Sequence, residues 1–179
     1  MYSNMPMVCT DRRGPGSQSI FLKASPKPPY RVYGASFGGA ASCANVLSVD
    51  ENGALSGVVQ AIDYGPGSGV HGLAFGSSNE MLYSADDTGN AVWRHRVDTN
   101  TGLLQFMERM DAPVPGANPR HIVVHPHGGV AYVVFEGTNQ LAVYTIKTGG
   151  KLVYTNMSYP LILSGMHVSE SVQTSMNAC

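Results

Sequence analysis

HGLAFGSSNEMLYSADDTGNAVWRHRV (residues 71–97) and RHIVVHPHGGVAYVVFEGTNQLAVYTI (residues 120–146) are two copies of one pattern. A shift of 49 residues superimposes them without a gap. Leu73 then falls on Ile122, Phe75 on Val124, Tyr83 on Tyr132, Asn90 on Asn139 and Val92 on Leu141. Each copy opens with an alternating apolar segment. A turn follows (SSNE or HPHGG), then a short apolar run (MLYSA or VAYVV), a polar turn and a third alternating run. Gly-containing turns, TNTGLL and TGGKLV, close the copies. Short strands separated by turn signals read as a β-meander. A period of forty-odd residues with several strands per unit is the mark of a propeller blade.

Working toward the N-terminus, a further unit is readable. RVYGASF is a strand, and NVLSVDENGALSG is a strand, a turn and the start of another strand, with a hairpin signal at Asn52-Gly53. PGSQSIFLKASPKPPY reads as a strand and then a loop, and no amphipathic helix is found. The predicted fold is therefore all-β: an incomplete propeller of four-stranded antiparallel blades, about three in number, the first incomplete. The predicted divisions are an irregular segment over 1–18, a partial propeller over 19–165 and a divergent tail over 166–179. A blade cannot bury its apolar face alone. Three blades leave two open flanks, so either further copies of the chain or the rest of a longer chain should cover them.

Composition agrees with a folded domain. Of 179 residues, 43% are hydrophobic and 13% charged, and the 21 glycines and 11 prolines favour turns over long helices. The net charge of −1, with Lys and Arg scattered, gives no field for nucleic acid. No apolar run reaches the roughly 20 residues of a membrane span. The N-terminus lacks a basic start followed by an apolar core, so a cytoplasmic location is expected by default. Cys9, Cys43 and Cys179 have no zinc or framework spacing and are expected as free thiols.

The repeat also singles out chemistry. His71 and Arg120 occupy one place in successive units, just before the first strand. Asp87 and Glu136 share another, just after the second strand. Equivalent strand ends near a propeller axis converge, which would bring His71, Arg120 and Glu136 to one cavity. Arg presents a rigid donor fork suited to carboxylates, and Glu or His can move a proton. A structural ion pair with a satisfied turn histidine is the competing explanation. His125 and His127 read as the turn between two strands, and alternation puts His121 out of line with them. No thiolate or carboxylate stands at metal spacing, so no metal is expected. Asp86 and Asp87 read as turn residues, and Trp93 as packing between blades. GPGSGVHG lacks a Walker ending, and no GxSxG elbow is present.

Three stretches carry a family resemblance: KPPYRVYGASFGGAASCANVLSVDENGALSG (27–57), VHGLAFGSSNEMLYSADDTGNAVWRHRV (70–97) and DAPVPGANPRHIVVHPHGGVAYVVFEGTN (111–139). Together PPY-x-VY, the Gly-rich loop before NV-x-SVD, HG-x-x-F, LYSAD and NPR before the HP turn resemble the fungal 3-carboxy-cis,cis-muconate cyclase family. That family is similar to the wider group of seven-bladed lactonase-like propellers. The resemblance runs from about Ser19 to about Gly165. It implies a cofactor-free intramolecular lyase (a cycloisomerase) of aromatic catabolism acting on a small tricarboxylate. It also implies a catalytic His in the HG turn, an Arg in the PR turn and a Glu after the following strand, which His71, Arg120 and Glu136 match. A further Arg of the family lies in a later blade and has no counterpart here. A lactone hydrolase, a non-catalytic propeller scaffold and an inactive fragment stand as the alternatives.

Overall fold

The computed structural model describes residues 18–37 and 41–162. Apart from Gln18, the expected irregular segment 1–18 and the expected tail 166–179 lie outside the described residues.

Twelve strands form three four-stranded antiparallel sheets, each a simple meander. The first contains β1 (Gln18–Ala24), β2 (Arg31–Phe37), β3 (Ala41–Val49) and β4 (Leu55–Pro66). The second contains β5 (Val70–Phe75), β6 (Met81–Asp86), β7 (Ala91–Val97) and β8 (Leu104–Asp111). The third contains β9 (Pro119–Val124), β10 (Val130–Phe135), β11 (Gln140–Ile146) and β12 (Leu152–Pro160). The offset read from the sequence is exact for the first three strands of the second and third sheets. The first sheet corrects one expectation: it is a complete blade, because the strand read in QSIFLKA pairs with β2 and joins it.

First strands adjoin one another from blade to blade, β1 beside β5 and β5 beside β9. They are therefore the inner strands, and β4, β8 and β12 are the outer ones. At Gly72 the approach is so close that an added Cβ would lie 2.7 Å from the carbonyl oxygen of Arg120 and 3.1 Å from the Cα of His121. Only glycine fits there.

Two cores hold the sheets together. Tyr33, Ala35, Ala44 and Val46 of the first blade pack with Leu73 and Leu82 of the second. Met81, Tyr83, Ala85 and Val92 of the second pack with Ala131, Val133, Phe135 and Ala142 of the third. Every residue of β6 is buried, because its blade is covered on both sides. In β2 and β10 burial alternates, as expected of sheets covered on one face.

Buried polar groups are tied to turns. The Asp86 carboxylate accepts from Gly69 N (2.7 Å), Gly89 N (2.9 Å) and Trp93 Nε1 (2.8 Å). Trp93 also packs edge-on against Tyr64 of the first blade at 5.2 Å, so it does lie between blades. The free-thiol expectation is corrected for Cys43, which is disulfide-bonded. Sequence spacing does not report which Cα atoms come within bonding reach. Cys9 and Cys179 lie outside the described residues. Among the described residues no helix is long and apolar enough to cross a membrane.

Candidate functional site

Two of the residues singled out by the repeat stand at the starts of neighbouring inner strands. His71 is the second residue of β5 and Arg120 the second of β9. Glu136 begins a 3-10 turn, Glu136–Thr138, directly after β10. That turn is pinned to the approach to β9: Glu136 N donates to Asn118 O (3.1 Å) and Gly137 N to Ala117 O (3.1 Å). A Cβ at Gly137 would fall 2.1 Å from Gly116 O, so the two segments touch backbone to backbone.

The three residues singled out in the sequence are brought together. Arg120 Nη1 donates to Glu136 Oε1 in an ion pair whose side chains are 36% and 45% exposed. Exposure at that level leaves the pair weakly bound, and an incoming anion can compete for the guanidinium. His71 stands near enough to feel both charges. Burial first, then the positive charge of Arg120, push its pKa below the ordinary histidine value, and its own backbone and then Glu136 oppose them. His71 is thus neutral at neutral pH. Its Nδ1 is buried and has no hydrogen-bond partner among the described residues.

Two residues read otherwise in the sequence also belong to this cluster. His121 packs edge-on against His71, ring centroids 5.1 Å apart, and burial with the Arg120 charge lowers its pKa too. Phe37, the last residue of β2, backs His71 from the first blade at 5.4 Å. Asp87, only 7% exposed, lies near Arg120 and Glu136. Burial is the main cause raising its pKa, and a hydrogen bond with Asn118 opposes that shift. His121 was missed because it is the repeat equivalent of Gly72, and only the close approach at that glycine aligns it with His71. Asp87 was signalled by its equivalence to Glu136, but it resembled a turn residue. Asp86 is one: its carboxylate is spent on the turn and on Trp93. Asn118 joins the parts. It has left-handed backbone (φ 53°), and its N–H donates to Asn90 Oδ1 of the second blade at 2.8 Å.

His125 and His127 stack on each other at 5.3 Å in the β9–β10 turn, at the opposite end of β9 from Arg120. Among the described residues no three His, Cys, Asp or Glu side chains are grouped to hold a metal.

Four-stranded meanders radiating from inner strands, with an ionisable cluster where those strands begin, define three blades of a β-propeller. The chain belongs to the family described as Lactonase, 7-bladed beta-propeller, which matches residues 11–165. It is 39% identical over 151 residues to the carboxy-cis,cis-muconate cyclase of Neurospora crassa, across 84% of this chain and 41% of that protein. It is 30% identical over 111 residues to muconate cycloisomerase 1 of Cutaneotrichosporon cutaneum, across 62% of this chain and 29% of that protein. Among solved structures, the periplasmic gluconolactonase PpgL of Pseudomonas aeruginosa superimposes with a TM-score of 0.66 at 22% identity, across 76% of this chain and 41% of that one. The last likeness concerns the fold. The chain therefore spans about two fifths or less of the length of these curated relatives.

Proposed function

We propose that this chain carries the inner-strand half-site of a cofactor-free cycloisomerase that converts 3-carboxy-cis,cis-muconate to a carboxy-muconolactone. One carboxylate oxygen of the substrate forms a bond to a carbon of its own diene, and the neighbouring carbon takes up a proton. One proton is taken up from solvent and no electrons are gained or lost, so no redox partner is needed.

The observation that carries this reading is the Arg120–Glu136 pair, half-exposed at the axis end beside a neutral His71. Arg120 holds a substrate carboxylate, displacing Glu136 and offsetting charge as the ring closes. Glu136, once released, takes up a proton from solvent and delivers it to carbon. His71 orients the substrate by donating the N–H of its neutral imidazole to a substrate carboxylate. A tricarboxylate needs more than one cation, so the rest of the charge balance falls to residues outside these three blades. The named activity of the Neurospora relative supports the substrate class.

A second reading has one observation in its favour. The unpartnered Nδ1 of a neutral His71 is also what a lactone hydrolase would use to take a proton from water.

The experiment joins residues 18–162 to the remaining blades of a Neurospora-type cyclase and follows the diene absorbance of 3-carboxy-cis,cis-muconate. Loss of absorbance is expected in the joined protein, and Arg120→Ala should slow it by about 100-fold or more. No turnover by a folded joined protein overturns the cyclase reading. Lactone opening without diene loss would establish the hydrolase instead.

A further inference from the structure

Asp87 and Glu136 hold equivalent places, each directly after the second strand of its blade, yet their surroundings are opposite. The Glu136 side chain is 45% exposed in its pair with Arg120 and can turn into water. Asp87 is 7% exposed. Its backbone is pinned on both sides: its N–H donates to Gly69 O (2.9 Å) and its carbonyl accepts from Asn90 N (3.0 Å). Its carboxylate is hydrogen-bonded by the Asn118 side chain. Asn118 is fixed in turn, since its N–H donates to Asn90 Oδ1 (2.8 Å) and its carbonyl accepts from Glu136 N (3.1 Å). Asp87 is therefore held in the cluster that Glu136 can leave.

The charges acting on Asp87 come from Glu136, from Arg120 and from Asp86, its neighbour at the end of β6. Arg120 is the one cation among these groups. The hydrogen bond to Glu136 is the main cause raising the Arg120 pKa, and the charge of Asp87 adds to it. His71 and His121 bring no balancing charge, because burial and then the Arg120 guanidinium push both toward the neutral form. When an incoming carboxylate takes Arg120, Glu136 moves into solvent, where water and salt screen it. Asp87 stays behind, and a buried charge is screened far less. Every negative group that a ligand brings to this side of the cluster then meets the like charge of Asp87.

We propose that Asp87 is a specificity-determining residue of this site: its fixed carboxylate lets Arg120 take one carboxylate of a ligand and penalises each further negative charge placed beside it. The inference rests on the reading that Arg120 binds a substrate carboxylate. It adds an orientation to that reading. A tricarboxylate enters with one carboxylate on Arg120 and turns the others away from the second blade.

Binding, not turnover, tests it, on the 179-residue chain at neutral pH. The probes are sorbate, a diene with one carboxylate, and cis,cis-muconate, a diene with two. The imidazole NMR signals of His71 and His121 report occupation of the site. Asp87→Asn keeps the shape and removes the charge, and should tighten muconate about tenfold and sorbate by about threefold or less. Asp87→Ser is a second neutral variant and should shift the preference the same way. Asp87→Glu restores the charge and should keep the wild-type preference. Circular dichroism and Trp93 fluorescence check folding. Arg120→Ala should abolish binding of both probes. Equal gains for both probes, or none, with binding that still needs Arg120, overturn the role of Asp87 and leave Arg120 as the carboxylate holder. Binding indifferent to Arg120→Ala, or no binding to wild type and Asp87→Asn alike, overturns both.

Discussion

His95 shows what one buried side chain does to the whole fold. It is 1% exposed on β7, edge-on to Tyr64 at 5.7 Å and to Phe106 at 5.9 Å. Its Nδ1 has no partner among the described residues, and burial pushes its pKa down to about 4. An unfolded histidine titrates near 6.5, so between these values the unfolded chain binds the extra proton and the folded chain does not. Stability is therefore full above about pH 6.5 and falls as pH drops toward 4, by about 3 kcal/mol. Urea midpoints followed by Trp93 fluorescence at pH 7.5 and 4.5 should show this loss. His95→Leu should remove most of the pH dependence in that window; an unchanged slope would place the acid sensitivity elsewhere. His71 and His121 shift in the same direction and add to the same slope. A comparable test addresses Asp86, whose carboxylate takes three hydrogen bonds in a site with no exposure. Asp86→Ala strands two backbone donors and the Trp93 N–H, and should cost about 3 kcal/mol or more in chemical denaturation. A loss below about 1 kcal/mol would mean that those donors find other acceptors.

Elements were legible in the sequence in proportion to how apolar they are. β5–β7 and β9–β11 alternate or run apolar because blades cover them, and a single offset located all six. Outer strands gave little signal. In β8, Gln105, Phe106 and Met107 are exposed, so LQFMERMD carries no clean alternation. The inner strand β1 was legible as a strand in QSIFLKA, but most of it is exposed and a proline-rich loop parts it from β2, so it was not assigned to the first blade. The site divided along the same line. His71, Arg120 and Glu136 were found because equivalent positions in repeats converge. His121 could not be, since its partnership with His71 depends on β5 and β9 touching at Gly72, a distance that no spacing encodes. That contact makes its own prediction. Gly72→Ala sets a methyl against backbone atoms that cannot swing aside, so the two inner strands must part. We expect a loss of about 1–3 kcal/mol, and in the joined enzyme a loss of turnover beyond what the stability change explains. Wild-type stability in Gly72→Ala would show that the strands have room to spare.

At the scale of the molecule, a row of three blades is unequal by construction. Among the described residues, the middle blade is covered on both sides and the outer two on one side each. Local opening follows burial and contact density, so amide protection should be graded across the row. Amides of β6, where all six residues are buried, should exchange only with global unfolding. Those of β1 and β12, largely exposed strands of the outer blades, should exchange first. The tyrosines third in β6 and β10 should divide in the same way: Tyr83 donates from its hydroxyl to Gly150 O of the third blade at 2.7 Å, and among the described residues the Tyr132 hydroxyl makes no such bond. Tyr83→Phe breaks a hydrogen bond made between blades and should lower stability by about 1 kcal/mol. Tyr132→Phe breaks nothing among the described residues and should leave stability unchanged. Hydrogen exchange on the two variants locates the effect: Tyr83→Phe should loosen the third blade relative to the second, and Tyr132→Phe should loosen neither. Equal losses in both variants would mean that the tyrosines stabilise their own blades through packing. The hydroxyl-to-glycine bond would then be incidental to how blades are joined.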